Sequence, residues 1–276
     1  MKQVLSSVGN LGQRIIAGLI GAAIVVFCIC YSEVSYFVLF GAIAFITLNE
    51  FYGLLGKARI HTSKVIGYII GISLYIITFL VESRIIFPEY YYLVFSLAFI
   101  LFINELYRRK EDSFIAVAYT LLGVIYVALP FSLLTICAFF TGEYRFGIVL
   151  GIIFLVWAND IGAYIAGRTL GKNKLFPSVS PKKTWEGSVG GAVLSLAISF
   201  GLSQYIHELT TMQWMIMSGI IIVTGSYGDL VESLLKRILA IKDSGEAIPG
   251  HGGFLDRFDA LVFCLPFITV FLKIFV

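Results

Sequence analysis

Charged residues are scarce in this sequence of 276 residues, where Asp, Glu, Lys and Arg together make up only 13%. Ordinary soluble domains carry about 25% charged residues. Apolar residues reach 59%, and the mean hydropathy is +0.93. This balance excludes a water-soluble enzyme, a disordered chain and a protein that coats nucleic acid as leading interpretations.

Histidine and cysteine are also rare, with three and four residues respectively. Cys28-Ile29-Cys30 is spaced like half of a metal site, but no second pair stands at ligand spacing elsewhere in the chain. Neither a zinc site nor a disulfide framework is therefore expected.

Long apolar runs dominate the sequence. Nine runs are candidate membrane spans: 15–32, 34–49, 65–81, 90–106, 114–140, 146–167, 187–206, 212–228 and 256–276. Backbone groups inside lipid must be paired within their own segment, and the alternation of barrel strands is absent, so each run should be a helix. The sequence predicts an all-α, polytopic integral membrane protein with about nine transmembrane helices. Residues 1–140 would form an N-terminal membrane region of about five spans, and 141–276 a catalytic membrane region.

Positive charge is distributed unevenly between the two sides of the membrane. With the N-terminus in the cytoplasm, only three of the 20 Lys and Arg residues fall in outer segments, namely Arg84, Arg145 and Lys273. An excess of Lys and Arg marks the cytoplasmic side of membrane proteins. The long polar stretches 168–186 and 229–259 also fall on that side, so any chemistry is expected at the inner membrane surface.

The first informative segment ends the sixth span. Asp160, Tyr164 and Arg168 are spaced i, i+4 and i+8, so they should share one helix face. A charge near the bilayer centre costs about 2.5–3.5 kcal/mol, so such residues usually face a partner or a wet cavity. Both a structural ion pair at the helix end and a substrate-binding face fit this spacing.

The loop after that span contains two adjacent lysines. Lys182 and Lys183 flank a turn started by Pro181, where backbone amides could cradle a phosphate. The alternative is that both lysines only add positive charge on the cytoplasmic side. The upstream pattern Gly167-x-x-x-Gly171 is equally typical of helix packing.

The second informative segment combines acids and bases on one helix. Asp229, Ser233, Lys236 and Arg237 lie at helical spacing, so carboxylate, hydroxyl and cationic groups share a face. An acid that binds Mg²⁺ beside bases that bind phosphate is typical of nucleotide transfer.

A glycine-rich turn follows this helix. Pro249-Gly250 and Gly252-Gly253 predict a turn in which the backbone can approach a ligand closely. His251 lies between the two pairs. It is a candidate general base, although a structural or phosphate-contacting role fits its position in the loop better.

Two aspartates open the last span, Asp256 and, three residues later, Asp259. Asp256 alone could be a helix cap or a partner of the helix dipole. That interpretation explains poorly why acids, bases and a His-Gly-Gly turn crowd two membrane boundaries.

These residues resemble the signature of the phosphatidate cytidylyltransferases, also called CDP-diacylglycerol synthases. The matching pieces are Ser233-x-x-Lys236-Arg237, Lys242-Asp243-Ser244-Gly245, Pro249-Gly-His-Gly-Gly-x-Leu-Asp-Arg-x-Asp259, Asp160-x-x-Ala-Tyr164, Gly167-Arg168, Gly171-Lys172 and Ser180-Pro-Lys-Lys-Thr-x-Glu-Gly187. Ile161 departs from the family, whose members commonly have Ser or Thr there. The part of the chain before about residue 145 resembles the family only in spanning a membrane.

The resemblance implies that CTP and phosphatidate react to CDP-diacylglycerol and pyrophosphate with Mg²⁺. Asp229 and Asp256 correspond to the metal-binding carboxylates and, with Lys236 and Arg237, form the expected catalytic set. The expected substrate-binding residues are Asp160, Tyr164, Arg168, Ser180, Lys182, Lys183, Ser233, Lys242, Asp243, His251, Gly252, Gly253 and Arg257. A second, monovalent cation such as K⁺, a homodimer, and a multi-pass position in the inner (plasma) membrane with a cytoplasmic site are also implied.

Three alternatives stay open at this point. A CTP-dependent transferase or kinase for another membrane lipid, such as an isoprenoid alcohol or an ether lipid, would need similar residues. An ion-coupled transporter would have acids near mid-membrane and inverted halves, whereas the acids here sit at one face. A scaffold of a lipid-synthesis complex would not need an intact set of acids and bases. Nucleic acid is not expected as a partner.

Overall fold

The computed structural model describes residues 10–239, 241, 245 and 252–276, with side chains from residue 18 onward in the first helix. Lys242, Asp243 and His251, three of the residues expected in the site, lie outside the described residues.

Ten α-helices make up most of the described chain. They are α1 (Asn10–Tyr31), α2 (Glu33–Lys57), α3 (Lys64–Glu82), α4 (Tyr91–Arg108), α5 (Ser113–Gly123), α6 (Leu129–Ala138), α7 (Phe146–Thr169), α8 (Trp185–Tyr205), α9 (Thr211–Ile238) and α10 (Leu255–Phe275). A 3₁₀ turn, Pro88–Tyr90, precedes α4. A π-helical turn, Val124–Ala128, joins α5 and α6 into one continuous span.

The helices follow the nine apolar runs of the sequence. Within the described residues, eight helical segments are long and apolar enough to cross a membrane, and the apolar stretch Gly18–Tyr31 of α1 is shorter. The all-α, polytopic membrane class is therefore confirmed. The count of nine spans, their orientation and the division into 1–140 and 141–276 stay predictions.

Side-chain caps define where α8 and α9 begin. Thr210 starts α9 with a capping box, since its hydroxyl accepts the Gln213 N–H at 3.3 Å and the Gln213 side chain accepts the Thr210 N–H at 2.8 Å. The helix then runs for 28 residues, whereas about 20 suffice to span the hydrocarbon core. The helix is thus longer than a span requires, and Asp229 and Lys236 lie toward its C-terminal end.

A short hairpin replaces the turn expected around the two lysines. Strand β1 (Lys174–Phe176) pairs antiparallel with β2 (Ser180–Thr184). Lys182 and Lys183 lie within β2, so the prediction of a Pro-started turn at these residues is wrong. The hairpin is closed by local contacts that periodicity does not reveal: the Glu186 carboxylate accepts the Asn173 N–H at 3.1 Å, and the Thr184 hydroxyl caps α8 by accepting the Gly187 N–H at 3.2 Å.

Glycines let α7 and α8 pack backbone against backbone. A Cβ on Gly162 would lie 2.5 Å from the Gly190 carbonyl oxygen, and one on Gly191 would lie 2.6 Å from the Asn159 carbonyl oxygen. Close approach through small residues is the usual way in which membrane helices associate. The packing fixes the end of α7, which carries Asp160, against the start of α8 and the hairpin.

Helices from the two regions of the chain also share a core. The ring of Phe131 in α6 lies edge-on to that of Phe258 in α10, with centroids 5.9 Å apart. Cys137 and Thr269 approach each other at 3.3 Å through their side chains. The last helix, which carries two of the acids, is thus held by the N-terminal helices.

Candidate active site

The acids and bases singled out in the sequence come together where α7, α9, α10 and β2 meet. Asp160, Asp229 and Asp259 lie near enough to one another for their charges to interact, and Lys183 lies within range of all three. These residues come from four different elements. A cluster of like charges around a lysine is a place where a cationic or phosphate-bearing ligand can be held.

Asp229 is held on both oxygens. Its Oδ2 forms an ion pair with Lys183 Nζ at 2.8 Å, and its Oδ1 accepts the Ser233 hydroxyl at 3.3 Å. Lys183 also donates to the Ser226 carbonyl oxygen at 3.2 Å. The Asp229 side chain remains 43% exposed. It is therefore fixed in orientation and still accessible to a ligand.

A second, more buried ion network lies one turn further along α9. Lys236 Nζ contacts Glu232 Oε2 at 2.5 Å and Asp256 Oδ1 at 2.7 Å. The exposed fractions of these side chains are only 16%, 2% and 11% for Lys236, Glu232 and Asp256. Burial on this scale makes the mutual neutralisation of these charges important for the fold as well as for the site.

Gly252 and Gly253 lie against the Asp256 carboxylate. Gly253 N–H donates to Asp256 Oδ2 at 3.0 Å, and Gly252 has a left-handed φ of 86°. A Cβ on Gly252 would lie 2.8 Å from the same oxygen. In this structure the group that Gly252 and Gly253 approach is a carboxylate of the site itself, and the close approach of this backbone to a ligand stays a prediction.

Tyr164 and Arg168 share a face of α7, as their spacing predicts. The Arg168 guanidinium donates to the Tyr164 hydroxyl at 3.0 Å, and both side chains are exposed. Asp160, one turn before, interacts instead with the charges of Asp229, Lys183 and Arg257. The acid therefore belongs to the cluster, whereas the arginine is exposed further along α7.

The other expected residues are at the periphery. Lys182 is exposed on β2, Ser180 is half-buried at the start of that strand, and Arg237 is exposed in the last turn of α9. Arg257 is exposed in the first turn of α10, at the wall of a cavity next to Asp160. All of these basic groups can reach outward toward an anionic ligand.

Four residues of the cluster were not among the expected site residues. Glu232 lies directly before the signature stretch and Asp259 ends it, so their i, i+3 spacing from Asp229 and Asp256 was the available signal. Tyr126 and Glu50 come from the first half of the chain. The Tyr126 hydroxyl is buried without a hydrogen-bond partner among the described residues, in the π-helical turn, and interacts electrostatically with Asp259, Glu232 and Asp229. Turns of this kind frequently mark functional sites.

Glu50 joins the first half of the chain to the start of α10. Its Oε2 accepts the Leu255 N–H at 3.0 Å, which is one of the backbone donors left open at a helix N-terminus. Its Oε1 is buried without a partner among the described residues, and a Cβ on Gly245 would lie 2.8 Å from it. The carboxylate thus caps, from a distant part of the sequence, the helix that carries Asp256.

Removing this cap should loosen the first turn of α10. Glu50→Ala is expected to speed amide hydrogen exchange across residues 252–258 about tenfold to a hundredfold, because a hydrogen bond to a charged group contributes about 1.5–3 kcal/mol. Glu50→Gln keeps an oxygen that can accept the Leu255 N–H and should retain most of the protection. Mass-spectrometric exchange on the purified protein measures both.

The start of α9 supplies the internal control, since its own capping box holds it independently of Glu50. Unchanged exchange across residues 252–258 in Glu50→Ala would show that the Leu255 bond does not hold the helix. Faster exchange at both helix starts would indicate general loosening rather than loss of a cap.

The donor set suits a hard divalent cation. Among the described residues, no group of three or more His, Cys, Asp or Glu side chains is arranged to hold a metal ion alone. Mg²⁺, however, is usually bound by one or two carboxylates, with water and substrate phosphates completing the shell. Glu232 Oε1 and the Tyr126 hydroxyl are buried and lack partners in the described part of the chain. The same cluster therefore contains polar atoms that can still form hydrogen bonds or bind a ligand. The carboxylate oxygens of Asp229 and Asp256 are the kind of ligand that such an ion takes.

Comparison with known proteins points to one family. The model of the cytidylyltransferase family matches residues 12–275. A phosphatidate cytidylyltransferase of Staphylococcus saprophyticus subsp. saprophyticus is 38% identical over 179 residues, which cover 64% of this chain and 67% of the relative. Proteins of the same name from Staphylococcus haemolyticus and Staphylococcus aureus are 37% and 36% identical over 180 and 181 residues, with the same coverage.

Proposed function

Because this chain belongs to the cytidylyltransferase family, and so is a nucleotidyltransferase, we propose that it transfers the cytidylyl group of CTP to phosphatidate. The products are CDP-diacylglycerol and pyrophosphate. The observation that carries the proposal is the pair of ion pairs that joins Lys183 of β2 to Asp229 of α9 and Lys236 of α9 to Asp256 of α10. The transporter and scaffold alternatives lose their support, since the family is enzymatic.

The chemistry requires two anions to meet at a membrane surface. CTP is soluble and highly charged, whereas phosphatidate is anionic and anchored in lipid. An oxygen of the lipid phosphate attacks the α-phosphorus of CTP in line, a new P–O bond forms, and the bond to the departing pyrophosphate breaks. Phosphatidate is already a nucleophile at neutral pH, so no strong general base is required. Catalysis then consists of positioning and charge neutralisation.

Different residues of this chain would neutralise different parts of the negative charge on the two substrates. Asp229 and Asp256 would hold a Mg²⁺ ion, which when bound supplies charge neutralisation at the phosphates. Lys183 and Lys236 lie against these two carboxylates and can bind phosphate oxygens beside them. The exposed basic groups at the periphery can bind the outer phosphates of either substrate: Lys182, Arg237 and Arg257.

Other parts of the proposal rest on the resemblance and the charge pattern. The active site faces the cytoplasm, because only three of the 20 Lys and Arg residues fall on the outer side. The multi-pass chain resides in the bacterial inner membrane, as suits its apolar helices and its bacterial relatives. The proposal also includes a K⁺ ion beside Mg²⁺ and assembly as a homodimer. Lys242, Asp243 and His251, which belong to the family signature, would bind substrate.

A purified-protein assay tests this function. In detergent with labelled CTP, phosphatidate and Mg²⁺, the protein should form labelled CDP-lipid and pyrophosphate, and a chelator should stop the reaction. An isoprenoid alcohol and an ether lipid are offered in parallel. If one of these lipids gave product and phosphatidate did not, that lipid would be assigned as the substrate instead. If no lipid gave product, the function would be rejected.

A further inference from the structure

Two buried polar atoms of the acid cluster lack a hydrogen-bond partner among the described residues, and their chemistry is complementary. The Tyr126 hydroxyl can donate a hydrogen bond, whereas Glu232 Oε1, as part of an ionised carboxylate, can only accept one. The phenol interacts electrostatically with Asp259, Glu232 and Asp229, so both atoms belong to the same cluster. Buried polar groups are nearly always hydrogen-bonded, and two exceptions in one site therefore need an explanation.

Pro130 explains the unusual backbone around Tyr126. A proline has no N–H, and its ring clashes with the carbonyl group four residues earlier, which here is the carbonyl of Tyr126. The helix is wider at this point, where the Leu129 N–H bonds to the Val124 carbonyl oxygen five residues earlier. The π-helical turn packs against α2, α3 and α10, and the rings of Tyr126 and Phe51 have centroids 5.9 Å apart. This packing holds the hydroxyl in place beside the cluster.

Lys236 is shared between two carboxylates in this structure. Its Nζ lies 2.5 Å from Glu232 Oε2 and 2.7 Å from Asp256 Oδ1. In the proposed function a substrate phosphate binds the same ammonium group, so the phosphate competes with both carboxylates for its three N–H donors. The Glu232 side chain is only 2% exposed, so water cannot replace the contact that it would lose. A buried carboxylate that loses its cation is costly unless another donor takes over.

We propose that Tyr126 is a positioning residue whose hydroxyl donates to Glu232 when Lys236 turns to the substrate phosphate; this inference rests on the proposed function. The hydroxyl is neutral, so it stabilises the buried carboxylate without adding a second cation that would compete with Lys236 for the phosphate. Asp259 needs this donor less, because its Oδ1 already accepts the Ala260 N–H at 2.7 Å. The bond is not formed in this structure, in which Lys236 still contacts Glu232.

Tyr126→Phe tests this role because it removes only the hydroxyl. In detergent, kcat/KM should fall about tenfold to a hundredfold, the effect of losing a hydrogen bond to a charged group. The melting temperature without substrate should not fall, because the hydroxyl has no partner among the described residues. Tyr75→Phe is the matched control, since its buried hydroxyl donates to the Phe37 carbonyl oxygen at 3.0 Å. It should lower the melting temperature and leave kcat/KM within about twofold of the wild type.

A double-variant cycle tests the partner of the hydroxyl. In Glu232→Gln the side chain carries no charge, so adding Tyr126→Phe should cost less than about threefold in kcat/KM. A loss that keeps its full size in the Glu232→Gln background would overturn the proposal. If Glu232→Gln does not fold, the cycle with Asp259→Asn decides: the full loss is expected to persist there, and its disappearance would assign the hydroxyl to Asp259 instead.

Binding measurements identify the phosphate and separate the possible failures. The Kd of CTP with Mg²⁺ and the Kd of phosphatidate are measured separately in the same variants. Tyr126→Phe should raise the Kd of the substrate whose phosphate engages Lys236, and Glu232→Gln should suppress this effect. Absence of CDP-lipid from the wild type rejects the proposed function, and the binding cycle then still decides the role of Tyr126. In a wild type that turns over, a Tyr126→Phe protein with a lower melting temperature and unchanged kcat/KM would show that the hydroxyl is only structural.

Discussion

Asp229→Asn is expected to abolish formation of the CDP-lipid, with kcat lowered by at least about 100-fold, the scale on which single electrostatic stabilisers act in active sites. The substitution removes the charge that faces Lys183 at 2.8 Å and that would bind a divalent cation. It keeps the size of the side chain and an oxygen that can accept the Ser233 hydroxyl. The protein should therefore fold, insert and melt much like the wild type.

Asp112→Asn is the matched control for this prediction. Asp112 makes one ion pair, with Arg108 at 3.7 Å, and its side chain is 44% exposed, against 43% for Asp229. An exposed pair of this kind contributes about 0–1 kcal/mol, so turnover should stay within about twofold of the wild type. Retained activity in a correctly folded Asp229→Asn protein would reject the role of this carboxylate.

Lys236→Met should cost both stability and activity. Lys236 neutralises Glu232 and Asp256, which are 2% and 11% exposed, so the substitution leaves two buried carboxylates without their cation. Breaking a buried ion pair from one side costs about 3–5 kcal/mol. We expect a lower melting temperature in detergent and loss of turnover, because the same ammonium group lies beside Asp256 in the site.

A double variant separates the two effects. Glu232→Gln removes one of the stranded charges, so Lys236→Met/Glu232→Gln should recover part of the lost melting temperature while remaining inactive. Lys182→Met, on the exposed face of β2, should leave stability unchanged. If the double variant regained activity with its stability, Lys236 would serve the fold alone.

The sequence predicted most of the membrane architecture because that architecture follows from local properties. Apolar length and helical pairing of the backbone decide where a span begins and ends, and each of the nine apolar runs falls on a helix. Spacing also predicted that Asp229 shares a helix face with Ser233, and that Tyr164 shares one with Arg168. Both pairs are four residues apart, within a single helix.

The arrangement of the site depended on contacts between distant residues, which spacing cannot reveal. Lys183 of β2 reaches Asp229 and the Ser226 carbonyl oxygen of α9, and the hairpin that positions Lys183 is stabilised by Glu186 and Thr184. Glu50 reaches Leu255 across 205 positions of sequence. The only sequence signal for Glu50 was a charged residue at the end of an apolar run, which is typical of any membrane boundary.

The position of the CTP label in the product tests the central claim most directly. Purified protein is given phosphatidate and Mg²⁺ with CTP labelled on either the α- or the γ-phosphate. Cytidylyl transfer predicts that the α-label enters the lipid product and that the γ-label leaves as pyrophosphate. Appearance of the γ-label in the lipid would instead make the protein a CTP-dependent kinase, and would contradict the assignment of this site to attack on the α-phosphorus.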